Sequence, residues 1–170
     1  MEKENKKTAL LILDRIDRLL SFATIKASFI LTANIVLISF AIKNLIDTKM
    51  NSSKIILDYN NTLLFIAMIF AVISLIFSCI VIMANMKSKN SKNSKPSVIF
   101  FGSIAKMGFD LFNNKIKSMS ETDLNNDLVE QIVILSKACK NKFMIVNISL
   151  ITFLLSFAVL ITTLLIEIFW

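Results

Sequence analysis

Few side chains in this chain are able to do chemistry, and their pattern excludes most enzymes. There is no histidine among the 170 residues, which removes the commonest acid–base group and the commonest metal ligand. Cys79 and Cys139 stand far apart, so neither a disulfide nor a thiolate metal site is expected. No P-loop, Gly-x-Gly-x-x-Gly or Cys-x-x-Cys occurs. Asp127 and Glu130 lie one turn apart on an expected helix, where a solvated polar face accounts for them. No catalytic residue, metal or cofactor is therefore expected. What remains is cations, hydroxyls and one amide. Asn34 sits inside an apolar run, and in hydrocarbon its amide needs a partner on another helix. Ser149, Thr152, Ser156 and Thr163 repeat near one face of a helix. Close packing is the plainer use of such small hydroxyls; a surface wetted only after rearrangement is the sharper one.

The elements that must position these groups are membrane helices. The chain is 55% hydrophobic, and Thr62 to Met86 and Phe143 to Ile166 contain no charged residue. About 20 apolar residues cross the hydrocarbon core as a helix, so both runs are long enough. A third run, Ala27 to Ile42, reaches that length if Lys26 and Lys43 snorkel. Three spans are thus predicted, at 27–46, 62–86 and 143–168, within a single domain. A transporter would carry charged or broken spans near the midplane, and a constitutive channel a filter or charged ring; neither pattern is present. Lys and Arg number six before the first span, three in the first loop, ten in the second loop and none after the third span. The positive-inside rule then predicts a multi-pass protein with the N-terminus and residues 87–142 in the cytosol and the C-terminus outside.

The segments flanking the spans also read as helix. Residues 1–26 form an amphipathic cytosolic helix, with Ala9, Ile12, Leu13, Ile16, Leu20 and Ala23 on one face, and Asp14 spaced to pair with Arg18. Nothing interrupts it before about Ile46. Asp47–Asn61 reads as a short outer loop. Lys87–Pro96 is a low-complexity basic tether suited to anionic lipid headgroups. It lacks the interleaved aromatics of a nucleic-acid platform, so no nucleic-acid partner is expected. The only proline, Pro96, ends the tether, and the only two glycines, Gly102 and Gly108, follow it. The helical pattern is therefore expected to break only over about Lys87–Gly108. A helix then runs to about Lys117. A last one starts near Ser120, with Leu124, Leu128, Ile132, Leu135 and Cys139 as its stripe. The fold class predicted is an all-α membrane protein with three transmembrane helices. Two of these extend into the cytosol as long amphipathic helices, with a short non-helical cytosolic segment. Three spans cannot enclose a wide pore and Asn34 needs a partner, so a homo-oligomer is expected.

Three stretches carry a family resemblance. Lys26-Ala-Ser-Phe-Ile-Leu-Thr-Ala-Asn34 enters the first span, and Phe100-Phe-Gly-Ser-Ile104 is an aromatic-aromatic-Gly signature. Gln131-Ile-Val-Ile-Leu-Ser136, followed by Lys142-Phe143, leads into the last span. In these stretches and their order the chain resembles the Pycsar transmembrane effectors over nearly its whole length. The resemblance implies a bacterial antiphage effector of the inner membrane. It would respond to a cyclic pyrimidine mononucleotide, cCMP or cUMP, made by a partner cyclase, and would impair membrane integrity. If such a ligand binds directly, its phosphate needs cationic or N–H donors. Candidates are Lys26, Lys106, Lys140 and Lys142, with Ser103 and the backbone at Gly102, while Gln131 is placed to read a base edge. Gly102 is the expected hinge, and Phe100, Phe101 and Asn34 are candidates for gating. The plainer reading of these residues is core anchors, a turn, a buried polar contact and lipid-facing lysines. Two other classes stand beside the effector: a membrane scaffold that docks a partner through its cytosolic helices, and a ligand-independent holin-like toxin.

Overall fold

The computed structural model describes residues 2–51, 54–83 and 97–169, and the chain is helical throughout them apart from short connections. Four helices follow in order: α1 (Glu2–Asn51), α2 (Lys54–Ile82), α3 (Phe101–Ser118) and α4 (Glu121–Phe169). No strand occurs among the described residues. Three stretches, Lys6–Ile46, Asn61–Ile82 and Glu121–Ile166, are helices long and apolar enough to cross a membrane. The tether at Lys87–Pro96 and the side chain of Phe101 lie outside the described residues.

The two longest helices follow from missing breakers. α1 has 50 residues and α4 has 49, without a glycine or proline in either. At a rise of about 1.5 Å per residue each is roughly 75 Å long. Three boundaries bear on the sequence reading. First, α1 passes Ile46 to reach Asn51, and α2 already begins at Lys54. The expected outer loop at Asp47–Asn61 is thus mostly helix, because a polar stretch without Gly or Pro can still continue a helix. Second, α2 runs to Ile82, with the Met83 N–H still reaching the Cys79 carbonyl at 2.9 Å, and the expected span end at Met86 lies outside the described residues. Third, the chain breaks at Met119 and Ser120, where the last helix was expected to start but beyond the window set by Gly and Pro. There a serine side chain competes with the backbone. Ser120 Oγ accepts the Asp123 N–H at 3.1 Å and donates to Asp123 Oδ2 at 2.6 Å, capping α4.

The chain folds as two compact units, Met1–Ser21 with Met86–Asn141, and Phe22–Asn85 with Lys142–Trp170. The second is the apolar unit. Its α1 segment buries Ala23, Ala27, Ile30, Asn34, Leu37 and Ala41, in alternating steps of four and three. Its α2 segment does the same with Leu64, Ala67, Ala71, Ser74, Ser78 and Val81. On α4 the buried positions are Val146, Ser149, Ser156, Leu160 and Thr163. A 3.5-residue repeat keeps one narrow seam of each helix facing its neighbours along their length. Alanine and serine dominate the seam, which lets the backbones approach closely. Large apolar side chains such as Phe29, 73% exposed, point outward. That arrangement suits a lipid surround rather than water.

The first is the charged unit. Ile16, Val98, Leu128 and Cys139 are buried in it, with Ala9, Leu13, Leu20, Leu124, Ile132 and Leu135 half buried. Ile12 departs from its expected face and is 43% exposed, since it falls to one side of the Ile16 line. The Arg18–Asp14 pair forms at 2.8 Å on the exposed side.

Candidate functional site

Two polar constellations are built into the fold, one in each unit. In the apolar unit, Asn34 is fully buried and its Nδ2 donates to Ser74 Oγ at 2.8 Å. Ser74 Oγ in turn donates to the Ser149 carbonyl at 2.8 Å, and Ser149 Oγ returns a bond to the Ser74 carbonyl at 2.9 Å. Ser78 Oγ lies 2.7 Å from Ser149 Oγ. A hydroxyl has one proton. Ser149 gives its proton to Ser74, so Ser78 is the donor in the last contact. Ser156 Oγ donates to the Ala67 carbonyl at 2.7 Å. Three helices are thus tied by a dry ladder of hydroxyls and one amide. The structure therefore gives the expected hydroxyl repeat its packing role: Ser149, Ser156 and Thr163 are buried, while Thr152 is half buried and bonds only to its own helix, at the Ile148 and Ser149 carbonyls. It also corrects the argument from Asn34 to a second copy, because the partner at depth is Ser74 of the same chain. Asn34 Oδ1 has no donor among the described residues. Ser74 and Ser78 were missed from sequence. Their spacing from Ala67 and Ala71 in the 3.5-residue repeat was the available signal.

In the charged unit the focus is the turn before α3. Asp127 Oδ2 accepts the Val98 N–H at 2.8 Å and the Ser97 hydroxyl at 3.0 Å. Ser97 Oγ then accepts the N–H groups of Ile99 and Phe100 at 3.1 and 3.0 Å. One carboxylate on α4 thereby fixes the entry to α3 through a serine. Asp127 is half buried, not part of a solvated polar face, because it shares a side of α4 with the half-buried Leu124 and the buried Gln131, one turn to either side of it.

The glycines divide their roles differently from expectation. Gly102 lies in the first turn of α3 with an ordinary helical backbone, and a Cβ there would meet Phe100 Cε1 at 2.6 Å. Its function is to leave room for the Phe100 ring. The break falls instead at Gly108, with φ 71° and ψ 170°. A Cβ at Gly108 would meet nothing within 4 Å, so conformation alone demands glycine there.

The proposed ligand residues are distributed over both units. Gly102 and Ser103 are half buried at the start of α3, Lys106 is exposed, and Gln131 is buried one turn beyond Asp127 on α4. Lys140 is exposed in the same unit. Lys26 and Lys142 belong to the apolar unit and are half buried, with Lys142 Nζ donating to Thr24 Oγ1 at 3.2 Å. Phe100 is half buried against Gly102.

A helical chain with three apolar spans, a tight small-residue seam and a carboxylate-anchored segment before its last long helix is a small membrane protein. The Pycsar effector protein domain matches residues 8–168, and the chain belongs to that family. It is 41% identical over 54 residues to the Pycsar effector protein GmPycTM of Gulbenkiania mobilis, a stretch covering 32% of this chain and 28% of that relative. No solved structure matches it.

Proposed function

We propose that this protein is a bacterial antiphage effector of the inner membrane, held silent as a closed helix bundle until a cyclic pyrimidine mononucleotide arrives. The family match over residues 8–168 is the observation that carries this reading. A partner cyclase makes the signal, and the response is loss of membrane integrity and growth arrest. The buried hydroxyl ladder supports the silent half of the account. In the closed bundle every hydroxyl of Ser74, Ser78, Ser149 and Ser156 is engaged, so the spans offer no polar track to ions or water. A ligand shifts the balance only by binding the open arrangement better.

The charged unit is assigned to the cytosol by its share of lysines. The segment around Gly102, Ser103 and Gln131 is the proposed nucleotide contact, with Lys106 and Lys140 adding charge. Assembly of several copies supplies the pore that three spans alone cannot enclose. Apolar side chains exposed in the charged unit, such as Phe109 at 79% and Leu11 at 61%, support such contacts between copies. Neither an enzyme activity nor a resident cofactor has a part in this reading.

The test is a cell carrying this gene with an active pyrimidine nucleotide cyclase. Growth arrest and dye entry are expected only with the cyclase. Arrest that is equally strong with a catalytically dead cyclase contradicts the reading and favours a ligand-independent toxin.

A further inference from the structure

Asn34 is not the only amide in the apolar runs. Asn147 lies five residues past Lys142 on α4, inside the stretch Phe143 to Ile166, and it is exposed. At about 1.5 Å per residue it sits roughly 7 Å beyond that lysine. An asparagine side chain is too short to reach back over that distance, as a lysine stem can. The exposed hydroxyls of the α1 and α4 spans are met within their own helices. Ser28, Thr32, Ser39 and Thr162 each donate to a backbone carbonyl three or four residues back. The Asn147 amide has no hydrogen bond among the described residues. Its two donors and its acceptor face hydrocarbon, where water cannot meet them.

Asn147 belongs to a second stripe on the same helix. With Ile151, Leu154, Ala158, Ile161 and Leu165 it recurs in steps of four and three, and every member is exposed. The buried seam of α4, from Val146 to Thr163, keeps the same 3.5-residue repeat, so the outer stripe runs alongside it without drifting around the helix. One asparagine in an otherwise apolar stripe of this period fixes register between paired helices. Depth identifies the partner. Copies of one chain insert in one orientation, so a second Asn147 always stands at the same level. The exposed side chains of α2 from Phe65 to Ile82 are all apolar and offer the amide nothing. Two such amides are self-complementary, each Nδ2 donating to the other's Oδ1. We propose that α4 packs in parallel against α4 of a second copy through this stripe, with the two Asn147 amides paired. The proposal rests on the membrane assembly in the reading above and names its surface. The amide needs a partner with or without a nucleotide, so the contact is present at rest.

The test uses the full chain in bacterial membranes, with Cys79→Ser and Cys139→Ala removing the native thiols and no cyclase present. Single cysteines are introduced by Ile151→Cys or Leu154→Cys on the stripe, and by Ile76→Cys on the exposed side of α2. Copper phenanthroline then oxidises the pairs that meet. Disulfide-linked dimers are expected from Ile151→Cys and Leu154→Cys and not from Ile76→Cys. Adding Asn147→Leu to the Ile151→Cys chain lowers the dimer yield by about threefold or more, whereas Asn147→Gln, which keeps the amide, retains most of it. Neither change removes a hydrogen bond of the bundle, and circular-dichroism melts of the purified variants check that the fold is kept. Dimers unchanged by Asn147→Leu would overturn the proposal and leave the amide to lipid headgroups. Native mass spectrometry of the wild type separates two other failures. An oligomer whose stripe cysteines do not link overturns this contact and leaves assembly in place. A monomer overturns both.

Discussion

In the apolar unit the polar contacts run from helix to helix, through fully buried hydroxyls at Ser74, Ser78, Ser149 and Ser156. In the charged unit they gather at helix ends, at the Ser97–Phe100 turn under Asp127 and at the Ser120 cap. The first kind of contact resists small adjustments. Turning one helix by a single seam position would strip several hydroxyls of their partners together, in a setting where water cannot replace them. The second kind is local, and breaking one contact leaves only the groups of a single turn without their partners. The comparison teaches where an all-or-none response and a graded one are each built. A bundle tied in this way is expected to change as a whole, whereas the segment around α3 is expected to yield one contact at a time.

Substitutions sharpen this contrast. The largest effect is expected at Ser149, where Ser149→Leu removes a shared acceptor and overfills a fully buried seam. Overpacking of that kind costs about 1–3 kcal/mol, and dye release from liposomes without any nucleotide is the expected readout. Thr162→Leu, on the exposed side of the same helix, should leave the liposomes tight. Equal leakage from both variants would mean that the seam is not the lock.

Asp127→Ala comes next. It leaves the Val98 N–H and the Ser97 hydroxyl without their acceptor, at a cost of about 1–3 kcal/mol for the groups that stay buried. Trypsin should cut sooner at Lys106 and Lys115, with no nucleotide-free leakage. The glycines follow. Gly108→Ala forces a side chain into a region open essentially to glycine alone, worth on the order of 1–3 kcal/mol, and should lower the melting temperature. Gly102→Val keeps a normal backbone but drives into the Phe100 ring. It should abolish growth arrest while the protein still inserts. If Gly108→Ala were neutral, the assignment of the break to Gly108 would be wrong. The smallest effect belongs to Arg18→Ala, since the Asp14 pair is exposed; it should change stability by no more than about 0.5 kcal/mol.

The sequence made the long helices and the need for a partner at Asn34 readable, because both follow from single facts: no Gly or Pro, and an amide in hydrocarbon. The partner's identity was not readable in the same way. Ser74 and Ser78 look like any other small residues of an apolar run until the 3.5-residue seam places them against Ser149. Asp127 was hidden for the opposite reason. A carboxylate on a helix has a solvated face as its commonest fate, and only the chain that returns from Ser97 gives it two donors. The two glycines differ in backbone angle, which their shared flexibility conceals. The ends of α1 and α2 were set too early and too late, as polarity was read as loop where no breaker stood.

The central claim is that the closed bundle opens in answer to a cyclic pyrimidine nucleotide. The most direct test reconstitutes the purified full chain into dye-loaded liposomes and adds cUMP, cCMP, cAMP or cGMP in turn. The account predicts tight liposomes at rest, and release with cUMP or cCMP and with neither purine nucleotide. Release without nucleotide, equal release with all four, or no release with any, would contradict it.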